Sequence, residues 1–205
     1  MTSATAETNL LEEFDRQIAT LARKGYPQLR DVDRLRSRVE QMAPSEPAEG
    51  VLSFVIVVKS TAMPVEKSMP LVELNGKAGF VSLTPRTPAD FRPIEALSIP
   101  TGDAYLLIDI DRGKETLNLL PERAMAMITA LGRSPLTIEE GIAIVTHYPE
   151  FLRKNHCFSL LGSRGTDRRV PALWISAGRP RLGWCWDGAP HTWLGSASCG
   201  SRLGC

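Results

Sequence analysis

Residues 157–187 read CFSLLGSRGTDRRVPALWISAGRPRLGWCWD, and their punctuation decides the fold. Three short β-type runs, CFSLLG, VPALWIS and LGWCWD, are separated by the turn-rich segments SRGTDRR and AGRPR. Their lengths suit an antiparallel meander. Upstream, VLSFVIVV (51–58) is strongly β-branched and reads as a buried strand. A shorter strand near Gly79 to Leu83 and another at AYLLIDID (104–111) follow, between proline-rich loops.

Helices are marked by their ends. PERAMAMITALG (121–132) has proline in its first turn and Gly132 as its stop. In TIEEGIAIVTHYP (137–149), Thr137 and Glu140 match a capping box, and Pro149 closes the segment. In NLLEEFDRQIATLARKG (9–25), Leu10, Phe14, Ile18 and Leu21 share one face, with Asn9 placed to cap and Gly25 to terminate. A second helix is predicted from Asp31 to Met42, with Val32, Leu35, Val39 and Met42 inward. Residues 1–8 are small and polar and are expected to be disordered. APSEPAEG (43–50) reads as a linker. The expected fold is α+β: an N-terminal helical hairpin over residues 1–43, then a main domain over 44–205 with helices packed on a largely antiparallel sheet. The hairpin is expected either to cover that sheet or to mediate a homodimer.

Composition bounds the function. The chain has 205 residues, 43% apolar and 23% charged, and fits one ordinary domain or one and a half. No run approaches the roughly eighteen apolar residues of a membrane span. The N-terminus lacks a basic start followed by an apolar stretch, so the expected compartment is the cytosol. Four cysteines in that setting do not read as a disulfide framework. The formal net charge is only +1. Residues 151–205, however, hold eight Lys or Arg against Asp167 and Asp187, a balance of +6 that leaves −5 for the first 150. A dedicated nucleic-acid binder is usually more basic overall, so that partner is disfavoured, and an anionic small ligand or acidic surface is preferred.

Reactive side chains gather late in the chain. Residues 182–200 hold three of the four tryptophans, two of the four cysteines and one of the three histidines. Cys157, Cys185, His191 and Cys199 form the preferred metal set, with zinc the expected ion because thiolates and imidazole suit a tetrahedral site. Their spacing is loose and no Cys-x-x-Cys occurs. A cysteine nucleophile needs a histidine partner or another source of thiolate stabilisation. The candidates are Cys157 or Cys199 with His191, since His156 and Cys157 point to opposite faces of an extended segment. For a small anionic or aromatic ligand the candidates are Arg164, Trp184, Trp186 and Trp193, with His191 completing the pocket and Arg168, Arg169, Arg179 and Arg181 nearby; the other reading packs the tryptophans in the core. Alternation puts Trp184 and Trp186 on one face and Cys185 on the other. LGSRGTDRR has the makings of an anion cradle around Arg164 or of a tight hairpin in which Asp167 pairs with an arginine. It carries neither a Walker lysine nor Gly-x-Gly-x-x-Gly. Asp109 and Asp111 read as strand-end residues or, alternatively, as a cation or acid/base pair.

FDRQIATLARKGYP, PLTIEEGIAIVTHYPE, CFSLLGSRGTDRRVPALWIS and LGWCWDGAPHTWLGSASCG together resemble an uncharacterised family common in actinomycetes, a domain of unknown function. The resemblance covers nearly the whole chain and implies one cytoplasmic unit. It brings no reaction, cofactor or catalytic set. Relatives carry a further cysteine near Gly165, which is missing here. Three functions stay open: a small-molecule or metal-binding protein, a cysteine- or metal-dependent enzyme acting on a carbonyl or ester-like group, and a structural or interaction protein.

Overall fold

A computed structural model describes residues 3–43 and 48–205. The fold is α+β, with four main helices and two main sheets among the described residues, beside two small two-stranded ones. Helix α1 spans Ser3–Arg23 and α2 spans Val32–Glu40. Asn9 therefore lies inside α1 and does not cap it, and residues 3–8 are helical where disorder was expected. Alanine and glutamate in that stretch favour helix and no residue there breaks it. Gly25 ends α1 with a left-handed φ of 76°. The Gly25 amide donates to Ala22 O and the Tyr26 amide to Leu21 O, both at 3.0 Å, which is a Schellman stop. Of the expected linker, residues 44–47 lie outside the described residues.

Strand β1 is Val51–Val58, β2 is Phe80–Val81 and β3 is Ala104–Asp111. Helix α3, Pro121–Ala130, precedes the short β4, Ser134–Pro135, and then helix α4, Ile138–His147. The remaining strands are β5, Cys157–Ser159; β6, Arg169–Ser176; β7, Arg179–Trp186; β8, Leu194–Ser196; and β9, Ser198–Leu203. Sheet one has the order β1-β3-β9-β4 and is antiparallel throughout. Sheet two has the order β8-β5-β6-β7-β2. Its centre, β5-β6-β7, is the expected antiparallel meander, with parallel strands added at each edge.

The β1 run is apolar at every position but Ser53 because both faces are covered. Phe54, Ile56 and Val58 face Phe14, Leu21, Leu35 and Val39 of the hairpin. Val55 and Val57 face the main core, with Tyr105 and Leu107 of β3. The hairpin thus forms a covering layer that shares a core with sheet one. On the other side of sheet one lies α4, buried at every position except Glu139. Sheet two covers the far side of α4. A Cβ at Gly141 would come within 2.5 Å of Leu160 Cδ2 and 3.0 Å of Leu173 Cδ1, so glycine sets the helix-to-sheet distance there. Helix α3 closes a smaller cluster, Ala124 and Ile128 against Leu161 and Val170. The chain leaves sheet two at Ser196 and enters sheet one at Ser198, with only Ala197 between.

β1 is an edge strand, and two side chains occupy its free hydrogen-bonding side. Gln17 Nε2 donates to Phe54 O at 3.2 Å, while the Ile56 amide donates to Gln17 Oε1 at 2.8 Å. His147 Nε2 lies 3.2 Å from Ile56 O. These contacts block pairing with another strand.

Candidate functional site

The first turn of α4 is where local sequence builds a site. Thr137 caps the helix: its hydroxyl accepts from the Glu140 amide at 3.4 Å, and the Thr137 amide donates to Glu140 Oε2 at 2.7 Å. A second hydroxyl, from Ser163 in a two-residue strand that pairs with Arg92 and Pro93, accepts from the Ile138 amide at 3.0 Å. Both residues are only 2% exposed. Neither hydroxyl proton has an acceptor among the described residues. Glu139 Oε1 takes the Ser60 amide at 2.8 Å, tying the loop after β1 to the helix start.

Those groups line a cleft of about 550 Å³. One wall is Ser60, Thr61, Pro64 and Val65; the other is Pro88, Phe91, Arg92 and Pro93. Proline fixes φ, so both walls are stiff. The size and the mix of apolar walls with a few convergent polar groups are those of a small-molecule site. No cysteine or histidine lines it.

Beneath the cleft floor, Glu140 is fully buried and bound on all sides. Arg202 Nε and Nη2 donate to its two oxygens at 2.5 and 2.9 Å, and Tyr105 Oη donates at 2.7 Å. Burial and the neighbouring carboxylate hold the Tyr105 hydroxyl far above its ordinary pKa, so it stays a donor.

The Cys157, Cys185, His191 and Cys199 set forms no metal site in the structure. Among the described residues no group of three or more His, Cys, Asp or Glu has the geometry to hold a metal ion. The crossing at Ala197 carries Cys199 into sheet one, between Ile110 and Ser134 in register. Cys157 donates to Arg153 O at 3.4 Å, and His191 stacks on the Trp193 ring with centroids 5.1 Å apart. Among the described residues neither Cys157 nor Cys199 hydrogen-bonds to His191. Burial raises the Cys157 thiol pKa, pushes Cys185 up to about 11 and Cys199 up to about 12. Each is held as the thiol, the opposite of what a nucleophile needs.

The tryptophans divide between two faces of sheet two. Trp174 lies opposite Arg181 in register, so odd-numbered side chains of β7 share its face and Trp184 and Trp186 take the other. Trp184 and Trp186 meet edge to face at 5.3 Å, with Arg169 over both rings at 4.5 and 4.9 Å. Trp193 instead packs against Trp174 at 6.2 Å on the opposite face. The expected single pocket of Trp184, Trp186, His191 and Trp193 is thus two aromatic groups back to back. Arg164 pairs with Asp187 at 2.8 Å beside a separate cleft of about 330 Å³. Asp167 binds Arg169 and Arg86 at 2.6 and 2.8 Å, which makes SRGTDRR an ion-paired turn. Asp109 pairs with Arg133 at 2.6 Å, while Asp111 Oδ1 accepts from the Gly113 amide at 2.5 Å. The two carboxylates serve a strand end and its turn.

Residues 20–205 match the model of a family of unknown function, DUF5701. The chain belongs to that family. The match begins inside α1 and takes in both sheets and every residue of the cleft. No curated protein and no solved structure matches the chain. Sequence reasoning missed the cleft because its lining comes from four segments between residues 60 and 163. The one available signal was the capping box, whose hydroxyl was read as structural only.

Proposed function

We propose that the protein binds a small organic molecule in the cleft at the start of α4. The observation that carries this reading is the pair of deeply buried hydroxyls, Thr137 and Ser163, whose protons have no acceptor among the described residues while both side chains line the cleft. Buried donors normally find an acceptor, and a ligand oxygen supplies one. The start of α4 adds the positive end of the helix dipole, which favours an anionic oxygen. Val65, Phe91 and Ile138 would cover an apolar ligand body. A carboxylate with an apolar body is therefore the preferred ligand class. Four free cysteines, three of them with burial-raised pKa values on the sheets, fit the reducing cytoplasmic setting we assign.

Ligand-observed NMR with a set of small carboxylic acids and their amides tests the reading. The acids should bind, and Ser163→Ala should weaken them about tenfold, the scale of a hydrogen bond to a charged group. Arg92→Ala, which removes the cation of the wall, should weaken them too, and a thermal melt of each variant controls for loss of folding. Acids that bind equally well to wild type and both variants would place their site elsewhere and refute the proposal.

A further inference from the structure

The outward face of sheet two carries a row in which aromatic rings and guanidinium groups alternate. It starts at His191 on Trp193, at 5.1 Å, and continues from Trp193 to Trp174 at 6.2 Å. Arg181 then lies over Trp174 at 4.8 Å and over Phe80 at 5.9 Å, and Arg179 lies over Phe80 at 4.9 Å. The register Trp174↔Arg181↔Phe80 shows that these are cross-strand neighbours on β6, β7 and β2. Trp193, just before β8, extends the row to the other edge of the sheet. At roughly 4.8 Å per strand the five strands span about 20 Å. The rings are half-buried and Arg179 is exposed, so part of each ring is open to solvent. Gly183 keeps Trp174 flat, since a Cβ there would come within 2.2 Å of Trp174 Cη2.

The charges in this row are uncompensated. Arg164, Arg169, Arg202 and Arg153 each have a carboxylate partner. Among the described residues Arg179 and Arg181 have none: Arg179 Nε donates to Ala78 O at 2.8 Å and Arg181 Nη2 to Ser82 Oγ at 2.9 Å. Stacking surfaces beside cations without counter-ions match a polymer that alternates flat rings with anions. We propose that this face binds single-stranded nucleic acid, with bases stacking on the outer surface of the row, its rings and the Arg181 guanidinium alike, and phosphates at Arg179. A near-neutral total charge does not oppose this, because among the described residues no carboxylate pairs with Arg179 or Arg181.

Fluorescence anisotropy of the full chain with a labelled oligouridylate tests the proposal, read together with intrinsic tryptophan emission. Binding should saturate below about 100 µM at low salt and should quench tryptophan. Arg179→Ala should reduce the slope of log K against log salt by about 0.7, one phosphate contact on a single strand. Trp193→Ala should weaken binding about tenfold, the loss of one stacked base. The exposed Arg179 variant keeps the test valid if Trp193→Ala fails to fold. Three results would overturn it: no saturable binding, equal affinity for a duplex of the same length, or displacement by heparin with no quenching at any stage. The last outcome would make this face a general polyanion surface.

Discussion

His147 shows how one buried residue sets a pH limit. Its Nε2–H donates to Ile56 O, and its Nδ1 is buried with no partner. Burial lowers its pKa to about 4 from an ordinary value near 6.5. The unfolded chain therefore takes up the proton first, and this contribution to stability is complete above about pH 6.5 and lost as pH falls toward 4. Between about pH 7.5 and pH 5 the loss amounts to about 2 kcal/mol. Urea titrations at the two pH values should show it, and His147→Gln should remove that part of the difference. Glu140 makes a larger claim. Glu140→Gln leaves the Arg202 charge buried without its counter-ion, at a cost of about 3–5 kcal/mol in denaturant unfolding. Adding Arg202→Met should restore most of the loss. The capping role of Glu140 was legible because Thr137 stands three residues away. Its bonds to Arg202 and Tyr105 were not, since nothing local points to partners 62 and 35 residues distant.

At the level of elements, helix ends and the long strands were legible, and face assignments were only partly so. Thr137, Pro121 and Gly25 act through their neighbours and behave as read. VLSFVIVV declared a buried strand, yet its composition could not say which side chains meet the hairpin and which meet α4. Alternation separated Cys185 from Trp184 and Trp186 correctly. It could not place Trp193, because the path from Asp187 to His191 follows no strand period. Gln17 was missed altogether: on an amphipathic helix a glutamine reads as surface. Its double contact with β1 predicts that Gln17→Ala costs about 1–3 kcal/mol, the penalty for unpaired buried backbone groups. Gln17→Glu keeps an acceptor but loses the donor to Phe54 O, so it should restore little. Chemical denaturation of the three proteins would check this.

The whole molecule is a stack: hairpin, sheet one, α4, sheet two. The class α+β could be read from the order of elements. The stacking could not, because nothing in the sequence marks Ala197 as the point where the chain changes sheets. That single crossing puts Cys199 in a different sheet from Cys157 and Cys185. The hairpin was expected to cover a sheet or to mediate a dimer, and its apolar face is committed to the sheet. Removing residues 1–43 would uncover Phe54, Ile56, Val58 and Leu106 together, an apolar area of the kind that drives association. The truncated chain should bind a hydrophobic dye strongly and elute as aggregate in size-exclusion chromatography. A monomer with a cooperative thermal transition would contradict the shared core.

The placement of β9 has a consequence for biosynthesis. β3 sits between β1 and β9, and its pairing with β9 joins residues 87 to 97 positions apart, from Asp111 with Ser198 to Leu106 with Leu203. Contacts of such long range are slow to form. A ribosome has made β3 and its first partner long before β9 exists, and until then one flank of β3 has no strand beside it. Translation speed and chaperone access over those residues would then govern how much product reaches the native state.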